Sequence, residues 1–182
     1  MEVMDDLEKI LDQGESFSTM SELAKTLKVS LRTLYEIAPS KEDLIVATVD
    51  RVLKKHGKIA MNAIKEHSSP IKKLESFLAV ANQAVGPRLE KFTLPLANLS
   101  TSKSMVNYHE QYITDFIKSL LDEAKNQKEI KDIDTQATAI LLGGLGRYFQ
   151  AKKLLKGLKQ TPEKTSNFLT EIILNGIKLE NQ

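Results

Sequence analysis

TMSELAKTLKVSLRTLYEIAPSKEDL, from Thr19 to Leu44, holds three helix starts in 26 residues. Thr19-x-x-Glu22 is a capping box, in which the hydroxyl and the carboxylate satisfy free N–H groups from both sides. Leu23, Ala24 and Leu27 follow at helical spacing on one face. Val29 sits in the connection, and Ser30 is the N-cap of the next helix, where Leu34 lies on the buried side near Ile37 and Ala38. Pro39 stops that helix, because a residue before proline avoids the helical region. Ser40 then caps a third start, with Asp43 three residues on. The stretch predicts two short helices, a tight connection and the first turn of a longer helix.

Outward from it, apolar residues recur at three and four, and no segment requires a strand. Leu7, Ile10 and Leu11 predict a first helix ending near Gly14. The helix from Lys41 can run to about Glu66 and would join the N-terminal part to the rest, with Gly57 a weak point. Ser68-Ser69-Pro70 is a break. Leu74, Phe77, Leu78 and Ala81 predict a helix to about Val85, ended by Gly86-Pro87. A shorter helix from Arg88 to Leu99, interrupted by Pro95, and a polar loop over Ser100–Ser104 come next. Helices over Met105–Lys125, from Asp134 to about Lys156, and over Pro162–Ile177 complete an all-α chain of about nine helices. The expected domains are 1–46, a helix-turn-helix unit entering helix four, and 47–182, a larger helical body.

The 182 residues are 41% hydrophobic and 27% charged, with a net charge of +2. That is the balance of a globular protein. The absence of cysteine excludes disulfides, thiolate catalysis and Cys-type zinc sites. MEVMDDLEKIL is acidic and lacks the apolar core of a targeting signal. The apolar run Ala137–Gly146 falls well short of the roughly 20 residues that span a bilayer. A cytoplasmic protein with no membrane partner is expected.

Two short helices with a tight turn place the second in the major groove of double-stranded DNA. Its exposed positions would be Leu31, Arg32, Thr33 and Glu36. Arg32 can pair bidentately with guanine, and Leu31 can pack on a thymine methyl. Thr19, Ser30, Tyr35 and Lys41 offer donors near helix N-termini and suit phosphates. The same spacing also describes an ordinary helical hairpin with a polar outside.

The run resembles the N-terminal domain of TetR-family transcriptional regulators. Leu23-Ala24 stands at the family's helix-two pair, Val29-Ser30 at the start of its recognition helix, Thr33-Leu34-Tyr35 at its T-L-Y, and Ser40-Lys41-Glu42-Asp43-Leu44 at the start of its helix four. Beyond Leu44 the resemblance covers only the plan. It implies a homodimer that binds a palindromic operator and represses until a small ligand enters the body. It also implies that Tyr35 and Lys41 touch phosphates while Arg32 and Thr33 sit in the groove.

The chain departs from the family pattern in three places. Lys28 replaces the usual glycine, at a cost of roughly 1 kcal/mol if the backbone there is left-handed. Ile37-Ala38 replaces His-Phe, and Ile37 or Phe17 would have to fill the lost aromatic volume. Glu2, Asp5 and Asp6 stand where a basic arm is common. Residues 1–50 hold five basic and eleven acidic side chains, a net charge of −6. Since phosphate neutralisation supplies most non-specific affinity, weak DNA binding is expected. Glu36 is awkward near the groove unless it accepts from a cytosine amino group. An alternative follows from this acidity, a TetR-like helical dimer acting through protein partners.

The body shows no catalytic set, and neither enzyme activity nor a cofactor or metal is expected. His56 and His67 are separated by roughly 16 Å of helix, too far to share an ion, and His109 stands apart. Gly143-Gly144-x-Gly146 lacks a preceding strand and so is no phosphate loop. Glycines there would let another helix approach. This suits a dimer interface through Ala137, Leu141, Gly144, Leu145, Phe168, Ile172 and Ile173, residues that could equally form an intrachain core. Phe77, Phe92, Met105, Tyr108, Tyr112, Phe116 and Tyr148 could line a pocket for an apolar small-molecule effector, or simply be core.

Overall fold

A computed structural model of the chain describes residues 2–13, 18–84, 100–148 and 157–179. Eight α-helices occupy them: α1 Glu2–Asp12, α2 Met20–Thr26, α3 Leu31–Ile37, α4 Lys41–Ala63, α5 Pro70–Ala81, α6 Ser100–Asn126, α7 Thr135–Tyr148 and α8 Pro162–Ile177. A 3-10 turn, Asn82–Ala84, follows α5. Among the described residues there is no β-strand, only an isolated bridge between Ile130 and Lys178. None of the described helices is long and apolar enough to cross a membrane. The expected helix over Arg88–Leu99 lies outside the described residues.

The helix starts follow local hydrogen bonding. Thr19 Oγ1 accepts from Glu22 N–H at 3.1 Å, and the Glu22 carboxylate accepts from Ser18 N–H at 2.9 Å. The return bond of the box therefore falls one residue before the cap. Ser30 Oγ accepts from Thr33 N–H at 3.0 Å, and Ser40 Oγ accepts from Asp43 N–H at 3.0 Å while donating to the Asp43 carboxylate at 2.6 Å. Ala38, before Pro39, is extended and closes α3. In the later chain Ser69 and Thr161 are N-caps, each followed by a proline at the first helical position.

Two helices end alike. Lys28 and Lys128 have φ of +55° and +58°. After α2, Val29 N–H donates to Ala24 O at 3.0 Å and Lys28 N–H to Lys25 O at 3.2 Å. After α6, Glu129 N–H donates to Ala124 O at 2.9 Å and Lys128 N–H to Lys125 O at 3.0 Å. Both are Schellman closures with lysine at the left-handed position that glycine usually takes. The backbone at Lys28 is therefore left-handed, and the condition attached to its cost is met.

One expectation fails in this part of the chain. Ser100–Ser104 is not a loop but the opening of α6. Ser104 Oγ donates to Ser100 O at 3.2 Å, and Ser102 is buried. Hydroxyls that bond the preceding turn of a helix need no loop to satisfy them.

The described residues fall into two compact units, one within Met1–Lys55 and Arg88–Asn107, the other within His56–Pro87 and Tyr108–Gln182. The first has a core of Leu7, Leu11, Met20, Leu23, Ala24, Leu27, Leu34, Ala38, Leu44 and Val49, with Met105 packed against it. The second buries Leu74, Phe77, Leu78, Ile117, Leu121, Ala124, Leu142 and Leu174 among others. In that unit, a Cβ on Gly143 would meet Thr114 Oγ1 at 3.0 Å, so this glycine lets α7 approach α6 within the chain. A Cβ on Gly144 would meet nothing within 4 Å.

Candidate nucleic-acid interface and dimer face

In the first unit, α3 is anchored by its cap and by Leu34, which is fully buried. That fixes the helix's rotation and leaves Leu31, Arg32, Tyr35 and Glu36 on its exposed side. Thr33 is half-buried, and its hydroxyl lies 2.7 Å from Ser30 Oγ. Thr19 and Ser30 are exposed but already engaged as caps. Lys41 is half-buried; its ammonium donates to Ser18 O at 3.4 Å and pairs with Glu42 at 3.3 Å. The eight candidate DNA contacts thus divide into an outward set on α3 and a set that organises helix starts. Ile37 is exposed, so it does not supply the missing aromatic volume, while Ala38 is buried. Phe17 lies outside the described residues.

Part of the acidity of this unit is met by its own cations. Asp5 pairs with Arg51, Glu8 with Lys55 at 3.8 Å, Asp6 with Lys9 at 2.8 Å, and Asp50 with Lys54 at 2.6 Å. The Arg51 guanidinium holds the Asp5 carboxyl below its ordinary value, and the Glu42 carboxyl is lowered by its own backbone N–H and by Lys41. Counting residues 1–50 alone misses Arg51, Lys54 and Lys55, which lie just past that boundary. On α3 itself the charges are Arg32 and Glu36, and these pair with each other at 3.0 Å.

In the second unit, α7 and α8 each bury one apolar face and leave another outside. Ala139, Leu142, Leu145 and Leu174 are buried. Ile140 is 57% exposed, Leu141 48%, Phe168 57% and Ile172 52%, values far above those of a finished core. Ala137 is also exposed, Ile173 half-buried, and Gly144 and Gly176 are open. Of the expected interface residues, Leu145 belongs to the intrachain core instead. Ile140 shares one helical stripe with 137, 141 and 144.

The expected pocket residues are dispersed. Phe77 is buried and touches the half-buried Phe116, their ring centroids 4.7 Å apart and their planes tilted by 57°. Tyr108 and Tyr112 are exposed, and Met105 belongs to the other unit's core. Phe92 and the side chain of Tyr148 lie outside the described residues. An open hollow of about 640 Å³, lined by Leu158, Lys159, Gln160, Thr161 and Lys164, contains none of the expected pocket residues. Among the described residues no group of histidines and carboxylates could hold a metal ion.

A capped helix pair with a polar outer helix, followed by a larger all-α body, is the architecture of helix-turn-helix transcriptional regulators. No family model matches the chain. It is 26% identical over 185 residues to an uncharacterized HTH-type transcriptional regulator of Bacillus subtilis, YvaF, covering 95% of this chain and 92% of that protein. Its fold matches a TetR transcription regulator from Haloarcula marismortui with a TM-score of 0.79, at 14% identity over 98% of this chain and 97% of that one. It also matches the Bacillus subtilis transcriptional regulator FadR, solved with stearoyl-CoA, with a TM-score of 0.75, at 18% identity over 97% and 98%. The chain thus has the fold of TetR-type regulators, and the likeness carried by Thr19–Leu44 extends, as fold, over nearly its whole length. All three similar proteins are transcriptional regulators.

Proposed function

We propose that this TetR-type regulator is a homodimeric repressor that reads a palindromic operator through α3. Residues 1–46 act as the reader and 47–182 as the dimerising, effector-binding body. The observation that carries the reading is α3 itself. It is capped by Ser30 and locked inward by Leu34, and it presents Leu31, Arg32, Tyr35 and Glu36 together on its open side. Pairing of Asp5, Asp6 and Glu8 on α1 supports it further, because their cations offset part of the repulsion of phosphate.

The exposed stripe of Ala137, Ile140, Leu141, Gly144, Phe168 and Ile172 supports a self-complementary dimer contact. Two open glycines in that face would let helices of the two copies approach closely. A dimer reading successive major grooves needs its two α3 helices about 34–36 Å apart. The effector proposed is small and mainly apolar, taken up in the body near Phe77 and Phe116. FadR's complex with stearoyl-CoA supports an acyl chain as the first class to try. No cofactor is needed, and the protein is placed in the cytoplasm, away from the membrane.

The test is a mobility shift of duplex DNA flanking the protein's own gene, at low salt. The wild-type dimer is expected to bind, and Arg32→Ala and Tyr35→Ala to weaken it. No shift by wild type, with no effect of either substitution, overturns the reading. A second reading, a helical dimer acting through protein partners, is favoured by the net charge of −6 over residues 1–50. Recovery of one specific protein through that surface, without operator binding, would select it.

A further inference from the structure

We propose that Glu36 is a positioning residue for base reading, acting through Arg32 rather than touching a base itself. The proposal rests on the DNA-binding reading above. Arg32 Nε donates to Glu36 Oε1 at 3.0 Å, one helical turn apart. The two side chains are 88% and 63% exposed. An ion pair this open contributes almost nothing to stability. Its consequence is geometric and electrostatic.

The geometric part follows from the guanidinium's planar fork of five N–H donors. With Nε held by Glu36, the donors of the two terminal nitrogens remain available. Those are enough for the two bonds that guanine O6 and N7 accept. An arginine whose fork is already oriented loses less freedom on docking than one that swings freely.

The electrostatic part concerns discrimination. An unpaired arginine on the recognition helix is drawn to any phosphate, whatever the sequence. Paired with Glu36, α3 carries no net charge, since Arg32 and Glu36 are its only ionised side chains. Non-specific attraction falls, while the bidentate contact with guanine is retained. The apparent handicap of an acid in the groove therefore becomes a device for selectivity at the expense of raw affinity.

The experiment is a selection from a duplex library randomised over about two helical turns, run with wild type, Glu36→Gln, Arg32→Ala and the double variant. Wild type is expected to select a guanine at one position of each half-site. Arg32→Ala loses that preference, and Glu36→Gln weakens it at the same position by roughly twofold. Glu36→Gln also binds an unselected duplex more tightly than wild type. The double variant matches Arg32→Ala, because Glu36 has nothing left to position. Binding by wild type with an unchanged guanine preference in Glu36→Gln overturns the proposal. So does a loss confined to a different base, which would make Glu36 a direct reader of cytosine. If wild type selects no sequence at all, the DNA reading and this proposal both fall. A purely structural role would change overall affinity with no change in base profile, and circular dichroism melts of the four proteins would expose it.

Discussion

The reader unit and the body unit use the same helical spacing in different ways. In the reader, α2 and α3 are seven residues each, too short to be stable as isolated helices. They persist because each start is capped and because Leu7, Leu23, Leu34 and Leu44 are fully buried in one small core. In the body, α7 and α8 are longer, and their apolar residues exceed what one core can hold. The surplus appears as exposed Ile140, Leu141, Phe168 and Ile172. The reader is a unit closed by local hydrogen bonds, and the body is one with an unfinished face. A closed apolar set signals folding, and an open one signals association.

The largest expected effect tests the closed core. Leu34→Ala should cost about 3 kcal/mol, since it removes a fully buried leucine that α3 depends on. A chemical denaturation series would read this, with operator binding lost alongside. A loss below about 1 kcal/mol would mean that the reader's core is looser than its burial implies.

Next comes the open face. Ile172→Glu should leave secondary structure unchanged, because the side chain is exposed within one copy. In the dimer it would bury an unpaired carboxylate, weakening association by about 2 kcal/mol or more. Sedimentation over a concentration series would show the shift to monomer. An unchanged dimer would move the interface elsewhere and remove the contrast between the two units.

A smaller effect sharpens the account of the helix ends. Lys28→Gly should stabilise the protein by about 0.5 kcal/mol. Relief of the left-handed cost of roughly 1 kcal/mol is partly offset by glycine's extra freedom when unfolded. Lys28→Ala should show no such gain. Thermal melts of the two variants side by side would decide it.

The smallest effect concerns pH in the body. The Lys118 ammonium, then the Thr135 hydroxyl, hold the Asp122 carboxyl below its ordinary value. A lowered carboxyl stabilises the fold fully above the ordinary carboxylate range. It loses that contribution as pH falls through the lowered value. Asp122→Asn should therefore be less stable than wild type near neutrality, by about half a kcal/mol or less after solvent screening, with the gap closing in acid. A gap that widens in acid would contradict the assignment.

Much of this was legible in the chain. The caps at Thr19, Ser30 and Ser40 and the stop at Pro39 are decided within four residues, so side-chain chemistry and spacing are sufficient; the left-handed turn at Lys28 was not, because a lysine does not announce one. The opening of α6 was not legible, because Ser100–Ser104 reads as a loop until its hydroxyls are seen bonding within the helix or buried. Nor was the dispersal of the aromatic set. Tyr108, Tyr112 and Phe116 share a spacing, yet Phe116 turns in to Phe77 while the tyrosines are exposed.

Local chemistry thus defined the all-α class, the helix-turn-helix stretch and the outward Leu31, Arg32 and Glu36 of α3, because caps and periodicity act over one or two turns; Thr33, expected outward with them, is half-buried at the cap. Only the folded chain decided that Asp5 and Glu8 are spent on Arg51 and Lys55. It alone decided that Gly143 serves an intrachain contact while Gly144 stays open, and that Leu145 is core while Ile140 is exposed. Those outcomes depend on which residues distant in sequence come within contact distance, and no spacing rule within one helix carries that information.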